Sequence, residues 1–257
     1  MPINTFITAP RKTGLQFFIG EIMSSASPNQ YYKVGVLLFP GADILDFAGP
    51  IEVLSHVSHN RNPDNPDRMF DIKIIACSAK IRAASSLTVQ ADMLMSEALD
   101  CISDFHILVV PGGPPSVVHP LINANGPELD LIRKYAALPP AAESGTRILF
   151  SVCTGAFFLG AAGALAGMKV TTHHRALDAL RDICARSNVP DGPSTTVVHQ
   201  RYIDAGLLKD GGVRVITAGG VSSGLDATCY IVSQLVTGDM ASYVARVMEY
   251  DWCELKE

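Results

Sequence analysis

The chain has 257 residues, 48% of them hydrophobic, and a formal net charge of −5. This length and hydrophobicity allow a sizeable core, and an acidic balance without a basic run argues against a nucleic-acid partner. No segment reaches the roughly 18 apolar residues of a membrane span, so we expect no membrane association. Residues 1–30 lack a secretory signal's apolar centre and are predicted to be a flexible extension before one domain at 31–257.

The six cysteines indicate free thiols rather than a disulfide framework. None forms a C-x-x-C pair, and they stand at Cys77, Cys101, Cys153, Cys184, Cys229 and Cys253. This pattern in a large, core-rich chain is typical of a reducing compartment, so we expect a cytoplasmic protein. The isolated histidines lack the spacing of metal ligands, and no nucleotide-binding fingerprint is present. We therefore predict neither a metal nor an organic cofactor.

Short apolar runs alternate with helical patterns along the chain. The predicted strands lie at 33–39, 70–76, 87–91, 106–110, 147–152 and 169–172, followed by an antiparallel pair at 197–203 and 213–217. The predicted helices lie at 50–57, beginning near Pro50, and at 126–138, 154–165, 175–186, 224–237 and 239–252. This alternation predicts an α/β fold with a mostly parallel central sheet and helices on both faces. Sites in such sheets form outside the carboxyl ends of strands, here after Phe39, Val110 and Val152.

The predicted strand at 147–152 runs directly into Cys153 and then into a helix. A residue on such a sharp turn is lifted out of the core, as in the nucleophile elbow of hydrolases. It also lies at a helix N-terminus, where free N–H groups and the helix dipole favour an anion. We therefore predict Cys153 to be a nucleophile with a pKa lowered below ~8.5, although a buried structural cysteine is the alternative.

A glycine-rich turn, Pro111-Gly112-Gly113-Pro114, follows another apolar strand. Glycines let the backbone approach a ligand closely and expose N–H donors. The N–H groups of Gly113 and Thr154 are candidate donors to an oxyanion, with Gly112 beside them. An ordinary turn is the alternative interpretation.

An acidic turn and a histidine pair complete the candidate site. Asp46, in the same turn as Asp43, precedes a predicted helix, where a carboxylate commonly caps the helix. Alternatively it exchanges a proton with Cys153, and burial would raise its pKa toward neutrality. His173 and His174 follow a short predicted strand, and since neighbouring side chains of extended chain point apart, at most one of them reaches Cys153.

Four segments taken together resemble a known family. They are VGVLLFPGADILDFAGPIEVL, ILVVPGGP, ILFSVCTGAFFLGAAGALAGMKVTTHHRALDAL and ITAGGVSSGLDATCYIV, spread over 33–237. On these motifs the chain resembles the DJ-1/PfpI superfamily, within the class I glutamine-amidotransferase-like fold. Its LD-x-x-GP, C-T-G, T-T-H and GG-x-x-x-G-x-D motifs are similar to those of isonitrile-hydratase-like proteins. The resemblance implies a flavodoxin-like sandwich with a cysteine nucleophile elbow.

The resemblance also implies roles for individual residues. Cys153 would be the nucleophile, Asp46 its acid–base partner and Thr154 a further site residue, in a homodimer. The Cys-His-Glu triad of amidotransferases is absent, because no glutamate stands two residues after His173. Many superfamily members carry Glu where this chain has the shorter Asp46, so the DJ-1 stress-sensor role does not carry over directly.

Three functions remain open, each with a small molecule as partner. The first is a cofactor-independent hydro-lyase that converts an isocyanide to an N-substituted formamide. In it, the Cys153 thiolate attacks carbon, and Asp46 first donates a proton and then activates water. The second is a glyoxalase or hydratase acting on methylglyoxal or another small electrophile, with His173 or His174 moving the proton. The third is a redox sensor or ligand binder whose thiol is oxidised to a sulfinate.

Overall fold

The computed structural model describes residues 30–141, 145, 147–187, 192–208 and 211–252. The predicted extension at 1–30, apart from Gln30, and Cys253 lie outside the described residues. Within those ranges, no helix combines the length and apolarity that crossing a bilayer requires.

Strands and helices alternate along the described chain. The strands are β1 Tyr32–Leu37, β2 Phe70–Ala76, β3 Lys80–Arg82, β4 Thr88–Gln90, β5 Met93–Leu94, β6 Ile107–Val110, β7 Arg147–Val152, β8 Lys169–Val170, β9 Thr196–Val197, β10 Tyr202–Leu207 and β11 Val213–Ala218. The helices are α1 Ile44–Ser55, α2 Met95–Asp100, α3 Pro115–Ala124, α4 Pro127–Ala136, α5 Gly155–Ala161, α6 Leu177–Ser187, α7 Ser223–Leu235 and α8 Gly238–Val247.

A seven-stranded sheet forms the centre of the fold, in the order β10-β11-β7-β6-β1-β2-β5. Every neighbouring pair is parallel except β10 and β11, which are antiparallel. All residues of β6 and β7 are buried. This explains why β6 is apolar throughout and β7 is apolar at four of its six positions, because a strand covered on both faces does not alternate with polar residues.

The helices form two layers. α1 contacts α7 and α7 contacts α8, while α2 to α6 contact one another in a second group. The crossover from β1 through α1 to β2 runs across the sheet in the opposite direction to that from β6 through α3 and α4 to β7. Since parallel crossovers are right-handed, the two groups lie on opposite faces. The predicted mostly parallel sheet with helices on both faces is confirmed.

The first helix differs most from its prediction. We expected it to begin near Pro50, but α1 begins at Ile44, so Pro50 lies inside it. A proline within a helix removes one backbone hydrogen bond. Here burial of Phe47, Val53 and Leu54 in the core compensates, because tertiary packing outweighs local propensity. The earlier start places Asp43 and Asp46 one turn apart at the beginning of α1.

Two other boundaries also differ. The predicted strand at 197–203 is wrong, since β9 pairs with β8 and the partner of β11 is the later β10. Gln200 lies between β9 and β10, and its carbonyl accepts a hydrogen bond of 3.1 Å from the Thr171 hydroxyl. This bond ties the segment to the end of β8 rather than to β11. The helix predicted at 154–165 ends at Ala161, because Gly163 with φ +79° is in the left-handed conformation that terminates helices.

Candidate active site

The candidate site lies at the carboxyl ends of three neighbouring strands. β7, β6 and β1 are adjacent in the sheet, and the segments after them carry Cys153, the Gly112-Gly113 turn and Asp46. The chain leaves β1 towards β2 on one side and returns to β6 on the other, which makes this edge a topological switch point. The three strand ends identified in the sequence therefore lie side by side.

Cys153 occupies a constrained turn between β7 and α5. Its φ of +57° lies in the left-handed region, which costs a residue with a side chain on the order of 1 kcal/mol. The Cys153 N–H approaches Ala218 O at 3.1 Å and Gly219 O at 2.8 Å, and its carbonyl accepts from the Thr172 hydroxyl at 2.8 Å. These bonds hold the strained conformation and fix where the sulfur points.

The backbone at Cys153-Thr154 lies close to the backbone of the Gly112-Gly113 turn. A Cβ on Gly112 would lie 2.6 Å from Thr154 N, which is too close for any side chain. The Gly113 N–H donates to Thr154 Oγ1 at 2.9 Å, and the Thr154 hydroxyl approaches Gly113 O at 2.7 Å. The Gly113 N–H that we expected to bind an oxyanion therefore already has a protein partner. In this structure the glycine turn positions the elbow.

Asp46 is fully buried and lies close to Cys153. Its Oδ2 accepts from the Gly112 N–H at 3.0 Å, while its buried Oδ1 has no conventional hydrogen-bond partner. It does not cap α1, because Asp43 occupies the N-cap position. Burial raises the Asp46 pKa to about 7, against opposing hydrogen bonds from the Gly112 N–H and Cys153. The carboxyl group is thus able to gain or lose a proton near neutral pH.

The predicted lowering of the Cys153 pKa is wrong. Burial of the thiol, followed by the negative charge of Asp46, raises its pKa to about 12, although the Thr154 N–H and hydroxyl favour the thiolate. Burial therefore outweighs the helix N-terminus. Since ionised Asp46 is itself a cause of the shift, a proton on Asp46 makes the thiolate easier to form. The two groups behave as one pair competing for a proton.

A cavity of about 440 Å³ adjoins Cys153. It is lined by Asp43, Gly113, Pro114, Pro115, Cys153, Thr154, His173, Arg175, Ala176 and Val221. Asp46 is not part of the lining, whereas Asp43 is, and to Asp43 the sequence analysis assigned no role. The sequence feature that could have identified Asp43 is its position three residues before Asp46. This spacing puts both residues on one helix face once α1 is known to begin at Ile44.

The two adjacent histidines differ in position. His173 lines the cavity of Cys153, while His174 and His199 line a separate cleft of about 530 Å³ that His173 also borders. Burial, reinforced by His174 and Arg175, lowers the His173 pKa, and Asp43 opposes this. Of the pair, His173 is therefore the one placed beside the nucleophile, in a mainly neutral form.

Metal binding was weighed only for histidines in the sequence analysis. Among the described residues, one donor atom each of Asp43, Asp46 and Cys153 lie within 4.8 Å of one another, which could provide three metal ligands. Metal ligands must be deprotonated. Burial raises the pKa values of all three groups and so favours their protonated forms. The donor set is therefore better suited to holding protons than to holding a cation.

The comparisons with known proteins agree with this geometry. The DJ-1/PfpI family pattern matches residues 32–234. An isonitrile hydratase of Pseudomonas putida is 30% identical over 220 residues, covering 85% of this chain and 78% of the relative. A THiJ/PfpI family protein of Pseudomonas syringae superposes with a TM-score of 0.67 at 22% identity, covering 94% of this chain and 84% of the other.

A more distant structure shares the fold. An oxidised DJ-1 of Toxoplasma gondii superposes with a TM-score of 0.61 at 15% identity, covering 86% of this chain and all of the other. The family match spans most of the chain and includes the elbow, the glycine turn and the acidic helix. This chain belongs to the DJ-1/PfpI family.

Proposed function

We propose that this protein is a cysteine-dependent hydratase that converts an isocyanide to an N-substituted formamide. The observation that carries the proposal is the buried pair of Cys153 and Asp46, whose sulfur and carboxylate oxygen lie within 4.8 Å of each other beside a cavity of about 440 Å³. The isonitrile hydratase relative supports the choice of substrate. The reaction adds only water, so the chemistry needs a nucleophile and proton-transfer groups.

In the first half of the proposed reaction, a proton passes from the Cys153 thiol to the Asp46 carboxylate. The resulting thiolate accepts a hydrogen bond from the Thr154 N–H, and the Thr154 hydroxyl turns its one proton from Gly113 O to the sulfur. It attacks the terminal carbon of the isocyanide and forms a C–S bond, and Asp46 donates its proton to the same carbon. The product is a thioimidate, R–N=CH–S–Cys153, with Asp46 again a carboxylate.

In the second half, water adds to the thioimidate carbon. One proton leaves the water, and the nitrogen gains one, which gives R–NH–CH(OH)–S–Cys153. Loss of the hydroxyl proton then expels the thiolate and releases R–NH–CHO. Asp46 regains its proton at this step, so the pair returns to the thiolate and protonated acid that attack the next isocyanide. A base that reaches the attacking water is required throughout this half.

The test is a direct assay of purified protein with cyclohexyl and phenyl isocyanide. We expect saturable formation of the corresponding formamides, followed by chromatography and mass spectrometry, and loss of that activity in Cys153→Ala. Cys184→Ala, which removes another buried thiol, is the matched control and should keep full activity. Absence of formamide with the wild-type protein, or full activity of Cys153→Ala, contradicts the proposal.

A second candidate is conversion of methylglyoxal to lactate through a hemithioacetal on Cys153. The position of His173 on the cavity wall favours it, because this reaction needs a base to move a proton between carbons. Lactate formation without isocyanide turnover would select this reaction. Selective oxidation of Cys153 to a sulfinate, with neither turnover, would instead select the redox sensor.

The assembly state and the cellular location also belong to the proposal. Relatives of the DJ-1 type support a homodimer, and the free-thiol pattern supports a cytoplasmic location. Analytical ultracentrifugation of the full chain measures the first, with a dimer mass expected.

A further inference from the structure

We propose that Asp43, and not Asp46, is the base that activates water in the second half of the reaction. This inference rests on the proposed function and divides the acid and base roles that the sequence analysis gave to Asp46 alone. Asp46 would donate the proton to carbon and later recover it, while Asp43 would accept the proton from the attacking water.

The placement of Asp43 is the first argument. It occupies the N-cap position of α1, yet its side chain makes no capping hydrogen bond. An aspartate at this position ordinarily accepts from the backbone N–H groups of the first turn. Here one of its carboxylate oxygens instead lies within 4.8 Å of both Cys153 Sγ and the Asp46 carboxylate. The Asp43 carboxylate is therefore available to accept a proton beside Cys153 rather than being used by the helix.

Access for water is the second argument. Asp46 is fully buried and does not line the cavity. Asp43 is half-buried and does line it, as do Cys153 and His173. The substrate and the attacking water must both enter through this cavity, since the other side of the sulfur is filled by the core. A base in the wall reaches a water held against the thioimidate, whereas Asp46 has no surface in this cavity.

The distribution of charge is the third argument. Two carboxylates this close repel each other, so one proton is held between them and the group in the less solvated environment retains it. Burial raises the Asp46 pKa to about 7, and the charge of Asp43 adds to that shift. His173 opposes the rise in the Asp43 pKa. The pair is thus divided into a buried acid and a cavity-facing carboxylate.

The resulting steps balance. Asp43 takes a proton from water as the oxygen bonds to the thioimidate carbon, and then gives that proton to the nitrogen, directly or through His173. Asp43 is again a carboxylate. Asp43 then accepts the hydroxyl proton of the tetrahedral intermediate as the C–S bond breaks, which releases the formamide. It passes this proton to the neighbouring Asp46, which restores the protonated Asp46 beside the thiolate.

The test compares Asp43→Asn with wild-type protein and Asp46→Asn, using phenyl isocyanide under rapid acid quench and intact mass spectrometry. Asp43→Asn should form the thioimidate within about threefold of the wild-type rate but lose about 10²- to 10³-fold in turnover. A covalent species heavier by one isocyanide then accumulates. Added hydroxylamine, which attacks a thioimidate without a general base, should discharge it. Asp46→Asn should fail to form the adduct.

A matched control and the opposing results complete the test. Glu52→Gln removes an exposed acid from the same helix and should leave both half-reactions unchanged. Asp43→Asn turnover within threefold of wild type overturns the inference, as does loss of adduct formation equal to that of Asp46→Asn. Absence of both adduct and formamide in wild-type protein overturns the proposed function itself, which separates the two failures.

Discussion

Two buried cysteines of this protein each lie beside an aspartate, and we expect only the Cys153 pair to be reactive. Cys153 pairs with Asp46, and Cys229 of α7 pairs with Asp226 one turn earlier. Burial, followed by the charge of the neighbouring aspartate, raises both thiol pKa values to about 12. A buried thiol next to an acid is therefore not a distinguishing feature in itself.

The difference lies in what else the aspartate contacts. Asp226 is held by an ion pair with Arg201 and by the Tyr250 hydroxyl at 2.8 Å, so its charge is compensated. Asp46 accepts one backbone hydrogen bond, from Gly112, and faces no cation in the described site. Asp46 is therefore placed to exchange a proton with Cys153, whereas the Asp226 carboxylate is paired with a cation.

Backbone geometry separates the pairs further. Cys153 lies on a turn at φ +57° and opens onto a cavity, while Cys229 lies in the middle of α7 with no exposure. The comparison teaches that the features specific to Cys153 are an uncompensated acid and an adjoining cavity, and not a low thiol pKa. We expect its reactivity to depend on these two features.

The largest expected effect comes from replacing Cys153 and, in a separate variant, Cys229 with alanine. Cys153→Ala should lower isocyanide turnover by about 10⁴-fold or more, because the nucleophile is lost. Cys229→Ala should keep turnover and lower the free energy of unfolding by about 1–2 kcal/mol, because a small core cavity opens. Steady-state kinetics and urea unfolding measure the two effects. Equal losses of turnover in both variants would break the comparison.

The aspartates give the next largest effect. Asp46→Asn should lower turnover by about 10²- to 10⁴-fold, because the acid is lost. Asp226→Asn should leave turnover within a few-fold and lower the free energy of unfolding by about 1–3 kcal/mol, since the Arg201 and Tyr250 contacts lose a charged partner. The reverse pattern would show that the wrong pair has been assigned to catalysis.

The stability of the wild-type protein and that of Asp46→Asn should depend differently on pH. Folding raises the Asp46 pKa from 3.8 to about 7, so the folded chain binds a proton that the unfolded chain has lost. The free energy of unfolding should therefore fall as pH rises from about 4 to about 7, by about 4 kcal/mol at 1.36 kcal/mol per pKa unit. Asp46→Asn should remove this part of the slope. A wild-type slope equal to that of the variant contradicts the buried, uncompensated acid.

The main architecture was predictable from the sequence because short local patterns of apolar and turn residues determine it. The apolar runs of β6 and β7, each ended by a turn, gave a parallel sheet and placed Cys153 at a strand end. The same reasoning failed at α1, because Pro50 is a local signal for a helix start while burial of Phe47 and Val53 is not visible locally.

The candidate site was predicted in outline and not in its electrostatics. The positions of Cys153, Asp46 and Thr154 followed from motifs, whereas the raised thiol pKa depends on how deeply the elbow is packed. Asp43 was missed for a related reason. Its relation to Asp46 requires the start of α1, and its lack of a capping bond is visible only in three dimensions.

The smallest expected effect concerns the hydroxyl of Thr154, a hydrogen-bond donor next to Cys153. Thr154→Val removes the hydroxyl that bonds to Gly113 O and favours the thiolate. We expect turnover to fall about 10- to 100-fold, the value of one hydrogen bond to a charged group. Thr154→Ser keeps the hydroxyl and should stay near wild type. Alkylation of Cys153 by iodoacetamide should slow in Thr154→Val alone, and equal rates in both variants contradict the role.

The central claim is that an isocyanide carbon becomes bonded to the sulfur of Cys153 and to no other thiol. The direct measurement is acid quench of a single turnover, followed by proteolysis and mass mapping of all cysteine-containing peptides. The account predicts an adduct heavier by one isocyanide on the Cys153 peptide, absent in Cys153→Ser and unchanged in Cys229→Ala. An adduct on the Cys229 peptide, or formamide produced at the wild-type rate by Cys153→Ser, would contradict it.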